Sequence, residues 1–463
     1  MTDVRSVSRR HFLWGLGVAP FMPSLLSFYK PAFLSSYKLL AASLDKRVKI
    51  TDVQAMVFQG PRTYTLVKVS TDVGLHGIGE AYGSPGIGVK EQILTIKSSF
   101  IGQDPLQIDT LYTNLGNRSD GSAHQMMRAI SGIEMAIWDL NGKILDVPTW
   151  KLLGGKFRDR VRVYDHAGPP NMFDKASLAD WAAKRKEHPS GFTAHKFGIQ
   201  ADVPAPGTAR GAGTGARGGG AGAAGTGGGR GAAADAGEEA PAGRGGGRGG
   251  SRTLLPRQIH NVQVGFENIR EAVGWNRDFM VHGSWNWNVR TAIDLAGALA
   301  TSKPLWFEDP LPVVYNDSWK RLTEVSPVPI LMGENLSRRE DFAPFVINQG
   351  CDILHPDLRN TGGFLETKRI ADFAHVFSMP MANHNTGSQV ATWQSAQWAA
   401  SVQDHIGLET ITGEGGWMDQ VLLLDGPYIK DGYITMTDKP GSGIELNPDV
   451  VRAHLVPGET WWK

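Results

Sequence analysis

The chain has 463 residues, room for two to four domains. Its 47 basic and 46 acidic side chains leave a net charge of +1, which gives no reason to expect a polyanionic partner such as nucleic acid. The single cysteine, Cys351, excludes an internal disulfide framework and a cysteine-rich zinc site, so any metal has to be held by histidines and carboxylates.

The N-terminus reads Ser8-Arg9-Arg10-His11-Phe12-Leu13, then an apolar run to about Leu26 and small residues near Ala41-Ala42. Pro20 and Pro23 break the run, and it is too short for a membrane span of about 20 residues. With the arginine pair, residues 1–45 resemble a twin-arginine export signal. That predicts a transient encounter with the export machinery and a periplasmic destination, or retention at the membrane if the signal stays uncleaved. A lone cysteine suits an oxidising compartment.

Residues 46–158 read as an α+β unit. Alternation and β-branched residues from Val48 to about Thr71 predict strands, while Gly74, Gly77, Gly79 and Tyr82-Gly83-Ser84-Pro85-Gly86 predict turns and a mobile loop. Between Met126 and Leu145, Met127, Ile130, Ile133, Ile137, Leu140 and Ile144 recur at steps of three and four, the stripe of an amphipathic helix.

Residues 159–415 change texture. Short apolar segments, VRVYD, GFTAHKF, DFMVHG, LWFEDP, PILMGEN, DILHPD, MPMANH and GLET, alternate with helical patterns, and each carries polar or charged residues at or next to its end. A parallel barrel strand buries its body on both faces while its C-terminal tip enters the mouth. Eight such tips predict an α/β fold, a (β/α)8-type barrel, with the N-terminal unit as a cap. No glycine-rich phosphate loop follows a strand to support a doubly wound sheet.

A Gly/Ala/Arg block at 203–253 interrupts the barrel region after its second strand. Of the chain's 57 glycines, 20 lie between residues 206 and 250. Without apolar periodicity such a block cannot offset its ordering entropy, so it reads as a disordered, solvated insertion on the face where the barrel's functional loops gather. Residues 416–463 read as a segment returning to the cap.

The chemistry-bearing residues repeat at the strand tips. His282, Glu308 and Glu334 follow one another at equal steps of 26 residues, one strand-helix unit, so their tips are neighbours. Two carboxylates and an imidazole brought together there call for a cation between them. Asp357 and His384, 27 residues apart at later tips, form a candidate dyad in which the carboxylate fixes the imidazole's tautomer and leaves its other nitrogen as a general base or acid. Glu409, at the eighth tip, is a candidate substrate anchor or proton donor.

The ordered set Glu308-Asp309-Pro310, Gly333-Glu334-Asn335, Pro356-Asp357 with Thr361-Gly362-Gly363, and His384-Asn385 resembles the mandelate racemase and acid-sugar dehydratase branch of the enolase superfamily. The segment from Ala129 to Lys143 with the following VPTWKLLGG resembles that family's joint between cap and barrel. The resemblance implies a modified enolase TIM barrel and one divalent metal ion held by the third, fourth and fifth strand tips, here His282, Glu308 and Glu334. The ion would bind the carboxylate of a small-molecule substrate while a base, here His384 with Asp357, removes the adjacent proton to give an enediolate. It further implies dehydration of a sugar acid to a 2-keto-3-deoxy acid, closure of the loops Gln59–Arg62 and Tyr82–Gly88 over the substrate, and a homo-oligomer.

Two positions depart from the family pattern. The first ligand is ordinarily a carboxylate, for which Mg²⁺ is the family's ion; His282 softens the set toward Mn²⁺, Fe²⁺ or Zn²⁺. On the second strand, where a Lys-x-Lys pair often sits, only Lys196 is present. Ser284 stands where some of these dehydratases carry a histidine acid, and Ser284, Asn286, Asn335 and Tyr82 are the candidate substrate contacts. Alternative readings are a racemase or epimerase with Lys196 as second base, and a non-catalytic carbohydrate-binding relative.

Overall fold

The computed structural model of the chain describes residues 48–83, 88–116, 125–169, 171–204 and 253–462. The arginine-pair segment, nearly all of the glycine-rich block and part of the loop after Tyr82 lie outside the described residues.

Three strands, β1 (Ile50–Gln59), β2 (Thr63–Thr71) and β3 (His76–Ala81), form an antiparallel meander in which Val53 faces Val69 and Val67 faces Gly79. The sequence reads Gly77 and Gly79 as turn residues, whereas β3 runs through both. Their role is close approach: a Cβ at Gly77 would lie 2.0 Å from the carbonyl oxygen of Ala136, and one at Gly79 2.4 Å from that of Gly132. The helix that β3 touches, Met127–Leu145, is buried from Ala129 to Gly142. It has no solvated face over this length because it lies between the cap sheet and the barrel, so the apolar stripe expected from its periodicity is only part of its buried surface.

Eight parallel strands follow in chain order: β4 (Arg160–Tyr164), β5 (Ala194–Gly198), β6 (Asp278–His282), β7 (Phe307–Glu308), β8 (Ile330–Met332), β9 (Ile353–Leu354), β10 (Met381–Asn383) and β11 (His405–Glu409). Each pairs with the next from β5 to β11, and β11 returns to β4 with Leu408 opposite Val163. An isolated parallel bridge between Asp165 and His195 joins β4 to β5, closing the barrel. Every strand from β4 to β10 leads to an α-helix, but β11 is followed by a 3-10 turn at Trp417–Gln420 and then by β12 (Tyr433–Thr435), antiparallel to β4. Seven strand-helix units and an eighth strand thus replace the eight expected units. Inside the barrel Tyr164, Ala194, Met280, Trp306, Leu331, Ile353 and Ala382 pack as a separate apolar layer, the floor on which the site stands.

Candidate active site

Side chains alternate along a strand, so the residue two past each floor residue points into the barrel one layer higher. Counting on from Ala194, Met280, Trp306, Ile353 and Ala382 gives Lys196, His282, Glu308, His355 and His384, all buried. Glu334 and Glu409 join them from the ends of β8 and β11.

On one side, His282 Nε2 lies 3.9 Å from Glu308 Oε1 and 4.0 Å from Glu334 Oε2. With Asp309 these residues offer four buried ligand atoms within 4.8 Å of one another. Hard carboxylate oxygens with one borderline imidazole nitrogen are a donor set that fits a single divalent ion. Burial, with the Glu308 charge next to it, pushes Asp309 up to about 7. Asp309 was not among the residues singled out from sequence, where it reads as part of a motif.

Ser284, read from sequence as a substrate contact, has its Oγ 3.1 Å from His282 Nδ1. The hydroxyl therefore holds the imidazole with Nε2 toward the carboxylates, the arrangement that fixes a ligating histidine. Ser284 (φ 56°) and Trp285 (φ 54°) are both left-handed, a turn costing roughly 1 kcal/mol or more per residue, which folds the chain back onto His282. Asn286 is exposed in the same turn, and Asn335, also exposed, has its Nδ2 3.5 Å from Glu334 Oε1.

Part of the positive charge that these carboxylates require is built into the chain. The fully buried Lys196 Nζ lies 2.8 Å from Glu308 Oε1 and 2.6 Å from Glu409 Oε1. Trp306 Nε1 donates to Glu308 Oε2 at 3.0 Å. Burial alone would raise the Glu308 carboxyl, but the charge of Lys196 and the adjacent imidazoles hold it well below the usual carboxylate range. A carboxylate has about four lone-pair directions, so Glu308 can keep these donors and still ligate.

On the other side, His384 Nδ1 lies 2.8 Å from Asp357 Oδ2. Ionised Asp357 only accepts, so Nδ1 carries a hydrogen and Nε2 is the ring nitrogen turned away from the pair. Nε2 is 3.4 Å from Glu334 Oε2 and 3.8 Å from Glu409 Oε2, on the same space as the ligand cluster. Burial would raise Asp357, and the Arg359 guanidinium, forked onto both of its oxygens, keeps it ionised. Tyr82, half-buried at the end of β3, lies between the guanidinium groups of Arg128 and Arg359, each 4.7 Å from its ring centre.

His355 was missed from sequence. Its Nε2 is 2.8 Å from Tyr164 Oη and its Nδ1 3.6 Å from Glu308 Oε1, and burial pulls it down to about 4, leaving it neutral. The signal was present: His355 stands two residues past the inward Ile353, but Asp357 in the same segment drew the assignment.

Comparison with known proteins agrees with this architecture. The mandelate racemase / muconate lactonizing enzyme N-terminal domain matches residues 45–154, and the enolase C-terminal domain-like family matches residues 256–450. The chain is 34% identical over 416 residues to D-xylonate dehydratase of Haloferax volcanii, covering 89% of this chain and 90% of that protein. It is 26% identical over 412 residues to D-galactarolactone cycloisomerase of Agrobacterium fabrum, covering 86% and 92%. A mandelate racemase/muconate lactonizing enzyme-like crystal structure from Rubrobacter xylanophilus superposes with a TM-score of 0.73 at 26% identity, over 90% of this chain and 99% of that one. With a matching cap, a matching barrel and relatives that span nearly its whole length, the chain belongs to the mandelate racemase/muconate lactonizing enzyme branch of the enolase superfamily.

Proposed function

We propose that the protein dehydrates a sugar acid, removing the proton α to the carboxylate and the β-hydroxyl as water to leave a 2-keto-3-deoxy acid. The observation that carries this reading is the His384–Asp357 dyad, whose Nε2 faces the buried His282, Glu308 and Glu334 cluster. Those three residues, with Asp309 beside them, would hold a divalent ion; such an ion supplies electrostatic stabilisation for charge building on the substrate carboxylate. His384 Nε2 takes the α-proton, Asp357 balances the resulting imidazolium, and His384 then returns the proton to the departing hydroxyl. One dyad serves both steps. Racemisation would need a second base opposite His384, and the candidate, Lys196, is paired with two carboxylates that favour its charged form. The name of the Haloferax volcanii relative, D-xylonate dehydratase, makes aldonic acids the first class to try.

The test is a panel of sugar acids with several divalent ions, assayed for 2-keto-3-deoxy products. Turnover should appear with at least one aldonic acid, and His384→Asn should lower solvent deuterium exchange at the α-carbon by about 10²- to 10⁴-fold. Exchange at the parental rate in that variant would overturn the dyad assignment. Binding without turnover for any ion would favour the carbohydrate-binding reading. Export through the twin-arginine route is part of the same proposal, supported by Arg9, Arg10 and the apolar run after them. Replacing both arginines by lysine should strand the protein in the cytoplasm on cell fractionation.

A further inference from the structure

A buried carboxylate of the cap, Glu80, reaches both barrel loops that carry the dyad. Glu80, in β3, is fully buried; its Oε1 accepts from Arg359 Nη1 at 3.2 Å and from the Ser388 backbone N–H at 3.1 Å. Its Oε2 accepts from the same backbone N–H at 3.2 Å and from Ser388 Oγ. Arg359 stands two residues past Asp357 and donates to both of its oxygens, Nε to Oδ1 at 3.1 Å and Nη2 to Oδ2 at 2.6 Å. Ser388 stands four residues past His384 and caps the next helix, Gln389–Ala400, through its Oγ and the Val390 N–H. The loop between them is shaped for this contact: a Cβ at Gly387 would come within 2.8 Å of both Glu80 Oε1 and Arg359 Nη1.

Glu80 thus grips the two loops that carry the dyad while touching neither His384 nor Asp357. A carboxylate buried here at the cost of its hydration is held by donors from two different barrel loops, so its placement and theirs depend on each other. We propose that Glu80 is a positioning residue of the reaction: by docking, the cap sets the Asp357 and His384 loops in register, so that the base is complete only when cap and barrel are joined. This rests on the reading of His384 as the base.

Glu80→Gln keeps the side chain's volume and removes its charge. The expected result is a kcat lower by about 10- to 100-fold with KM for the turned-over sugar acid within about threefold. The downfield NMR proton of His384 Nδ1–H, identified by its loss in His384→Asn, should shift or broaden, and Glu80→Asp should recover part of kcat. An unchanged kcat with an unchanged resonance would overturn the proposal, as would losses in kcat and KM that only follow a fallen melting temperature. Should Glu80→Gln fail to fold, Ser388→Ala is judged by the same criteria. The resonance needs no substrate: a shift in the variant of a parent that turns over nothing would sink the dehydratase reading, and with it the catalytic role, while leaving Glu80 as the residue that orders the Asp357 and His384 loops.

Discussion

At the scale of single residues, the candidate metal cluster is distinguished by an imidazole beside its carboxylates. His282 brings one less negative charge and a nitrogen donor, and Ser284 holds that nitrogen toward Glu308 and Glu334. Mg²⁺ depends on charge and oxygen donors, whereas Mn²⁺, Fe²⁺ and Zn²⁺ accept imidazole readily. Lys196 strengthens the bias, since its ammonium already neutralises part of Glu308. Calorimetric titration of metal-free protein should therefore show Mn²⁺ or Zn²⁺ binding at least about tenfold tighter than Mg²⁺, and His282→Asp should narrow or reverse that order. Ser284→Ala, which removes this hydrogen bond to the imidazole, should weaken metal binding by about 10- to 100-fold. Equal or tighter Mg²⁺ binding by the parent chain would refute the argument.

At the scale of elements, the Thr361-Gly362-Gly363 segment is the joint where a barrel helix meets the cap. Glu134, on the helix Met127–Leu145, accepts from the backbone N–H groups of Phe364 at 2.8 Å and Leu365 at 2.9 Å, capping the helix Gly363–Val376 from another domain. Gly363 has φ 81°, and a Cβ there would lie 1.9 Å from Glu134 Oε2. Gly363→Ala combines a left-handed strain with an overpacked contact and should cost about 3 kcal/mol or more in denaturant unfolding. Burial pushes the Glu134 carboxyl up to about 8 despite its donors. The folded state then binds a proton that the unfolded chain releases near pH 4.5, so this residue's contribution is complete below that pH and is lost as pH rises toward 8. Stability measured at pH 5.5 and 8 should fall more steeply in the parent than in Glu134→Gln; equal slopes would remove Glu134 as the cause. The contrast also shows what sequence carries. Strand tips such as Glu308 and His384 were legible because apolar segments ending in charge repeat at a constant step. Gly77, Gly79, Glu80 and Glu134 were not, since their roles depend on partners brought close only by the tertiary fold, as Ser388 is to Glu80.

At the scale of the whole molecule, the described residues run from the cap through the barrel and back to the cap. β1 is an edge strand, a row of unpaired backbone groups that invites pairing with another chain unless it is covered. The returning segment covers it: Gln59 N–H donates to the His454 carbonyl at 2.8 Å, Val456 N–H to the Val57 carbonyl at 3.1 Å, and Phe58 bridges to Leu455. Glu459 closes the clasp, accepting from the Val57 N–H at 3.2 Å and pairing with Lys90 at 2.6 Å. Trp417, from the turn that replaces the eighth barrel helix, stacks on His454 with ring centres 3.6 Å apart, so the modified end of the barrel buttresses the same clasp. Deleting residues 454–463 should therefore speed hydrogen exchange at the Val57 and Gln59 amides by about tenfold or more while the amides of β7 and β8 keep their protection. The selectivity decides the matter. A uniform rise across cap and barrel would mean that the segment stabilises the fold as a whole, whereas a rise confined to the cap edge would identify it as the element that keeps β1, and the Gln59–Arg62 loop after it, in place.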